Sequence, residues 1–493
     1  MKPKELMTRN EPYRPQFHFS PTAHWINDPN GLVYDKGEYH LFYQYHPEST
    51  LWGPMHWGHA VSRDLVNWTE LPIALFPDEH GTIFSGSAVI DWHNTADFGP
   101  EAMVAIFTHH HSAGEIQTQS QSLAYSLDRG RTWTKYAGNP VLLPTNRMRD
   151  FRDPKVFWYG EPQSGHWVMC LAAGQLILFY RSPNLIDWEA CGGFGFGHGA
   201  TDGVWETPDL FELPVDESAE SRWVLTVGVG NGAPAGGSGQ QYFVGHFDGE
   251  TFTSENPKDV ALWADYGADF YAAQSWSDAP HGQRLLIAWM NNWTYARQIP
   301  TEAWRGEMSL PRRLSLAHTA QGIRLRQQIV EIAPLLAQQT QEMTDVAISA
   351  GGTYKPELAA GSLWEMGAEL VAEEGRESTF GVRLTWADSA TVTITYRDGT
   401  LYFDRQFSGA VDFNPNFPAV HSAPLLLEKG VLHLQLFVDR SSVELLAQDG
   451  LLSMTERIFP AQGTVQFTFF ADSRPVILRK LAMSRLAPAH FAE

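Results

Sequence analysis

Three acidic residues, far apart in the chain, sit in short motifs unlike the sequence around them. Asp28 lies in Trp25-Ile26-Asn27-Asp28-Pro29-Asn30-Gly31, Asp153 in Phe151-Arg152-Asp153-Pro154-Lys155, and Glu206 in Trp205-Glu206-Thr207-Pro208-Asp209. Such a set suits glycoside hydrolysis, where one carboxylate acts as nucleophile or base and one carboxylic acid protonates the leaving oxygen. Each residue also has an ordinary explanation. Asn and Asp before Pro open β-turns. Asp153 between Arg152 and Lys155 could be a surface ion pair, and Glu206 between Trp205 and Pro208 a partly buried structural carboxylate. Spacing singles them out. With Ser85 in Phe84-Ser85-Gly86-Ser87 and Asp269 ahead of Phe270-Tyr271-Ala272-Ala273-Gln274, they recur at intervals of 57, 68, 53 and 63 residues. If each opens the innermost strand of a propeller blade, all five converge on one axial pocket.

Aromatic residues cluster near the same motifs: Trp25, Trp52, Phe84, Tyr271, Trp289 and Trp293. Sugar rings present C–H faces that pack on aromatic faces, while carboxylates and amides take the hydroxyls. Packing between blades would use the same residues. The run Thr108-His109-His110-His111 does not make a metal site. Adjacent histidines on a strand point to opposite faces, so three in a row cannot share one ion without a turn; a loop bordering the pocket is expected there. The segment 230–239 is Gly-rich but lacks the Lys-Ser/Thr of a P-loop and the spacing of a dinucleotide fingerprint. It reads as a flexible loop between strands of the fourth blade. No metal and no organic cofactor is expected.

The elements that must position these residues are strands. Short runs of Val, Ile, Phe, Tyr and Trp alternate with Gly, Pro, Asn and Asp clusters every ten or so residues. A second repeat runs alongside: Ser62-Arg63-Asp64-Leu65-Val66-Asn67-Trp68 returns around Trp133, Trp188 and, faintly, Phe252. Each copy is a turn followed by an aromatic that starts a strand. A period near 60 with about four strands per unit predicts five propeller blades over residues 1–320. A connection with a short helix, interrupted by Pro334, is expected over 321–345. Hairpins at Asp398-Gly399 and Asp449-Gly450, and alternation through Leu432, Leu434, Leu436 and Val438, predict a β-sandwich over 346–493. The fold class is all-β: a five-bladed β-propeller followed by a C-terminal β-sandwich.

Composition limits the function. The 493 residues carry a net charge of -21, against nucleic acid as a partner. A 43% hydrophobic, 18% charged chain is globular. Two cysteines, Cys170 and Cys191, exclude a disulfide scaffold and suggest free thiols in a reducing compartment. Neither a signal peptide nor a membrane-spanning run is visible, so a cytoplasmic protein without a membrane partner is expected.

Taken together, the Asn27-to-Gly31, Phe84-to-Ser87 and Arg152-to-Lys155 motifs, with Asp439-Arg440-Ser441-Ser442-Val443-Glu444, are specific. The chain resembles glycoside hydrolase family 32, the β-fructofuranosidases, over nearly its whole length. The resemblance implies a five-bladed propeller plus sandwich, with Asp28 as nucleophile, Glu206 as acid/base and Asp153 as transition-state stabiliser. It places Asn27, Gln44, Trp52, Ser85 and Arg152 in a fructose subsite, with Tyr271 and Trp289 beside them. Where the family usually has Glu-Cys-Pro, this chain has Glu206-Thr207-Pro208, and the Thr207 hydroxyl could hydrogen-bond near Glu206. The segments 236–245 and 289–293 resemble the exo-inulinase, levanase and yeast-type invertase branch.

The resulting expectation is a retaining β-fructofuranosidase that releases terminal fructose from sucrose and short fructo-oligosaccharides. Alternatives are an exo-levanase or exo-inulinase on polymer, a fructosyltransferase, an inverting α-arabinofuranosidase or arabinanase, and a non-catalytic fructan-binding protein. A homodimer is a further expectation.

Overall fold

The computed structural model describes residues 9–492 apart from 115, 146, 147, 217, 376 and 462. Five antiparallel sheets form the N-terminal part. Their innermost strands are His24–Asp35, Thr82–Asp91, Phe151–Tyr159, Trp205–Pro214 and Tyr271–Ser275. Each touches the next, and the fifth touches the first, so the ring closes. Closure is made by backbone pairing: Ser277 N donates to Leu32 O and Tyr34 N to Ser277 O, at 2.9 and 3.0 Å. The first blade also gains Trp304–Arg305 alongside His24–Trp25, and Phe491–Ala492 from the C-terminus beside Trp68–Thr69.

The repeated turn is the link between the third and outermost strands of the first four blades. Ser62 Oγ accepts from Leu65 N and Asp64 Oδ1 from Val66 N and Asn67 N. Ser126 with Asp128, and Ser182 with Asn184, repeat the arrangement. A short side chain that satisfies its own turn amides fixes the bend, and the following aromatic packs between strands. The fifth blade lacks the motif because Arg312–Thr319 and Gly322–Ile329 join by a tight turn.

The expected connection over 321–345 is shorter. Gly322–Ile329 completes the fifth blade, and Ala337–Ile348 is already the edge of a sandwich sheet. Between them lies one helical turn, Ala333–Leu336, with Pro334 in its first turn. There a missing N–H costs nothing, so this proline starts the helix instead of interrupting it.

The C-terminal part is two six-stranded sheets around one apolar core. The hairpins at 398–399 and 449–450 are present, and Leu432, Leu434, Leu436 and Val438 all face inward. Its contact with the propeller is charged and buried. Arg312 donates to Asp265, Gln327 and Ser453 through one guanidinium nitrogen, at 3.2, 3.0 and 2.8 Å. It reaches Glu444 and Thr455 through the other, at 2.6 and 2.7 Å. His18 bridges Asp439 and Glu444 at 2.9 and 3.0 Å. The Asp439-to-Glu444 motif therefore joins the domains. Removing one member of a dry ion-pair network strands the others, at about 3–5 kcal/mol. Arg312→Met is expected to destabilise the protein on that scale in denaturant unfolding.

Candidate active site

Every innermost strand carries an irregularity at the same level. Pairing skips between Ile26 and Pro29, Ile83 and Gly86, Arg152 and Lys155, Glu206 and Asp209, and Tyr271 and Gln274. Two residues stand where one would pair, which bends a strand and re-aims its side chains. Asp153, Thr207 and Ala272 take the positive φ this demands, at 63°, 47° and 54°. The prolines after Asp28, Asp153 and Thr207 suit positions where a ladder N–H is not needed. Five bulges around one axis thus turn the motifs inward.

They open a cavity of about 220 Å³, lined by Asn27, Asp28, Gln44, Trp52, Phe84, Ser85, Arg152, Asp153, Glu206, Trp293 and Arg297. Asp28 accepts from Ser85 Oγ at 2.6 Å and from Asn27 Nδ2 at 3.0 Å. Asp153 accepts from Thr207 N at 3.0 Å, and its own N–H donates to Thr108 Oγ1 at 3.0 Å. Glu206 is held by Arg152 Nη2 at 2.9 Å and Nε at 3.2 Å, and by the Tyr271 hydroxyl. Arg152 is oriented in turn by Asp150 at 2.7 Å and Gln119 at 3.3 Å.

The carboxylates share one electrostatic field. Burial pushes Asp28 up to about 6, and the Glu206 charge adds to the shift against the Ser85 and Asn27 hydrogen bonds. Burial pushes Asp153 up to about 7, opposed by Arg152 and reinforced by Glu206 and Asp28. Burial likewise holds the Tyr271 hydroxyl protonated, as a donor to Glu206. Both aspartates titrate above their unfolded value of about 3.9. Ionising them in the fold therefore costs stability, a cost that grows as pH rises towards the folded pKa and is full above it. Asp153→Asn is expected to raise Tm by on the order of a few degrees at pH 8. Thermal scans across pH should show the gain shrinking below pH 7 and gone near pH 4.

Three aromatic residues expected at the substrate lie behind the wall. Trp25 and Trp289 are fully buried and Tyr271 nearly so. Trp25 Nε1 donates to Asn27 Oδ1 at 2.7 Å, so it orients a lining residue. Its ring packs on Trp289 and Trp293 at 6.1 and 6.0 Å. Trp52, Phe84 and Trp293 reach the cavity. The Thr207 hydroxyl does not bond Glu206; it is buried with no partner among the described residues. Thr207 contributes its amide, to Asp153. Asp269 does not face the pocket either, because Arg405 and Tyr295 hold it at the domain contact, both at 2.6 Å.

The histidine run is strand, not loop. His109 bonds Ser122 at 2.7 Å, and His110 stacks on Phe84 with centroids 4.4 Å apart. Among the described residues no group of three or more His, Cys, Asp or Glu could hold a metal ion. The Gly-rich segment joins Ser221–Val229 to Gly239–Phe247 in the fourth blade. Both cysteines are unpaired. No helix among the described residues is long and apolar enough to cross a membrane.

Sequence reasoning missed Arg297, Gln119, Thr108 and Asp150. Thr108 opens the histidine run but was read there only for metal binding, Asp150 directly precedes the Phe151-to-Lys155 motif, and Arg297 and Gln119 stand in no motif.

Known proteins share this architecture. Residues 18–328 match the glycosyl hydrolases family 32 N-terminal domain, and residues 331–484 the family 32 C-terminal domain. A levanase of Bacillus subtilis is 47% identical over 97% of this chain and 71% of its own length. An extracellular exo-inulinase of Aspergillus awamori is 39% identical over 92% of this chain and 91% of its own. A crystal structure of exo-inulinase from Aspergillus awamori superposes with a TM-score of 0.89 at 36% identity, covering 98% and 99% of the two chains. Matched at both domains and across nearly all of its length, the chain is a glycoside hydrolase and belongs to glycosyl hydrolase family 32.

Proposed function

We propose that the chain is a retaining β-fructofuranosidase that removes terminal fructosyl units by double displacement. The observation that carries this reading is the meeting of Asp28, Asp153 and Glu206, from three different blades, in one cavity sized for a single sugar ring. Asp28 attacks the anomeric C2 while Glu206 protonates the departing oxygen. A covalent fructosyl–Asp28 ester forms and the leaving sugar departs. Glu206, now a carboxylate, takes a proton from water, which attacks C2 and frees Asp28. Asp153 bonds fructose hydroxyls, and those bonds strengthen as positive charge develops on the ring. Ser85 and Asn27 hold the Asp28 carboxylate in line. Arg152 and Tyr271 fix Glu206. None of these steps calls on a metal or an organic cofactor.

The cavity takes one ring and opens to solvent past Trp52, which is 38% exposed. Sucrose and the ends of fructan chains are both substrates in this reading. The relatives named levanase and exo-inulinase support the fructan side. A preference for sucrose and short fructo-oligosaccharides is proposed only together with a cytoplasmic location, where an enzyme meets small sugars and not polymer. A cytoplasmic location is proposed on the two unpaired thiols, with cell fractionation as its test. A homodimer is proposed too, for light scattering to decide. Assays with sucrose, sucrose 6-phosphate, kestose, inulin and levan should show fructose released from chain ends, with glucose as the co-product from sucrose. Absence of fructose from all five would overturn the reading.

A further inference from the structure

One lining residue is unaccounted for by this chemistry. Arg297 is exposed at the cavity mouth, with no hydrogen bond or ion pair from its guanidinium among the described residues. Its backbone is the opposite of free. Arg297 O accepts from Arg305 Nη1 at 2.6 Å, and the other terminal nitrogen of Arg305 donates to Thr301 O at 3.1 Å. Just before it, Trp293 N donates to Ser238 Oγ at 3.2 Å, and Asn292 Nδ2 ties the segment to Ala268 O at 2.8 Å.

The sandwich domain grips the same segment. Arg405 Nη2 donates to the Tyr295 hydroxyl at 3.0 Å, and Phe417 meets the Tyr295 ring edge-on at 5.2 Å. Asn414 Nδ2 donates to Thr294 O at 3.3 Å and bonds Gln298 as well. Residues 292–298 are thus clamped from both domains, yet Arg297 among them carries a long cationic side chain left unpartnered among the described residues. Ordering a segment this thoroughly around a free arginine makes sense when a ligand completes it.

Depth within the cavity says what that ligand is. Asn27, Gln44, Ser85, Arg152 and Asp153 are buried and form the floor, where the fructosyl ring sits. Trp52 and Arg297 are exposed and form the mouth, where the next unit must leave. A guanidinium fork presents parallel N–H donors that match two neighbouring oxygen acceptors. Vicinal hydroxyls on a pyranose or furanose supply such a pair.

We propose that Arg297, held in place by the sandwich, is a specificity-determining residue that binds the vicinal hydroxyls of the glycosyl unit next to the scissile bond. The inference rests on the fructosidase reading and deepens it by naming how the leaving sugar is recognised. Two substrates separate the two claims. Kestose places a sugar at the mouth, whereas methyl β-fructofuranoside places a methyl group there. The readout is the ratio of their kcat/KM values. In Arg297→Ala the ratio is expected to fall about tenfold, carried by the KM of kestose, as loss of hydrogen bonds from a charged donor implies. Arg297→Lys, which keeps the charge without the fork, should recover only part. Asn414→Ala should lower the ratio in the same direction and by less, because it loosens the clamp from the sandwich side. A ratio unchanged in Arg297→Ala would overturn the proposal, as would full recovery by Arg297→Lys. Hydrolysis of neither substrate by the wild-type protein would instead overturn the fructosidase reading.

Discussion

Asp28→Ala is expected to lower kcat on sucrose by roughly 10⁴-fold or more, the scale on which removing a nucleophile acts in hydrolases that form covalent intermediates. The reason is positional. Asp28 sits at a bulge that aims it into the cavity, and both of its oxygens are engaged, by Ser85 and by Asn27. Alanine leaves no group to form the ester, and water cannot take the carboxylate's place without the same alignment. The fold should survive, because Asp28 makes no ion pair among the described residues and its burial disfavours charge. Unfolding midpoints should therefore match or exceed the wild type at neutral pH. In the wild-type enzyme the acid limb of kcat/KM should fall near pH 6, where Asp28 gains its proton. Turnover within tenfold of wild type in Asp28→Ala would remove Asp28 from the chemistry.

Glu206→Ala carries the second large effect, a loss of about 10²–10⁴-fold on sucrose, the range of general acid–base catalysis. This loss depends on the leaving group. A natural sugar alcohol needs a proton to depart, whereas an activated aryl β-fructofuranoside does not. The variant should keep formation of the ester on the aryl substrate and stall at its breakdown. Azide, which needs no general base, should restore turnover and yield β-fructosyl azide. Equal losses on both substrates, with no azide rescue, would assign Glu206 a purely structural part. The surroundings of Glu206 favour the acid–base role. Arg152 and Tyr271 donate to different carboxylate oxygens, so the group is oriented and is still only partly covered, with 24% of its side chain exposed.

The carboxylates were legible because bulge chemistry has a signature. Asn, Asp and Pro are placed where strand propensity disfavours them, and the misfit recurs at blade spacing. The turns opened by Asp64, Asp128 and Asn184 were legible for the same reason. What the residues could not show was depth. Trp25, Trp289 and Trp293 are chemically equivalent in a sequence, yet only Trp293 reaches the cavity. The division is set by packing among three rings. Asp269 shares the spacing of the site residues but faces Arg405, a partner 136 residues away. A period marks a position in a blade and does not say which side of the strand the residue occupies. Thr207 was noticed for its hydroxyl, whereas its positive φ makes the amide the useful group. Arg297 had no motif at all: it lies in a turn that Gln298 N closes on Tyr295 O, and no residue type around it marks that turn as the mouth of a site. The charged contact between domains was also invisible. Buried Arg312, Arg405 and Arg457 look like surface residues until their partners are placed around them.

The central claim is covalent attack by Asp28 on C2, followed by release from the same face. The anomeric configuration of a trapped product tests it most directly. With sucrose as donor and methanol as competing acceptor, the intermediate is captured as a methyl fructofuranoside, which does not mutarotate. Proton and carbon NMR of the early reaction should show the β-anomer alone. The α-anomer as first product would mean a single inverting displacement, and Asp28 could not then be the nucleophile.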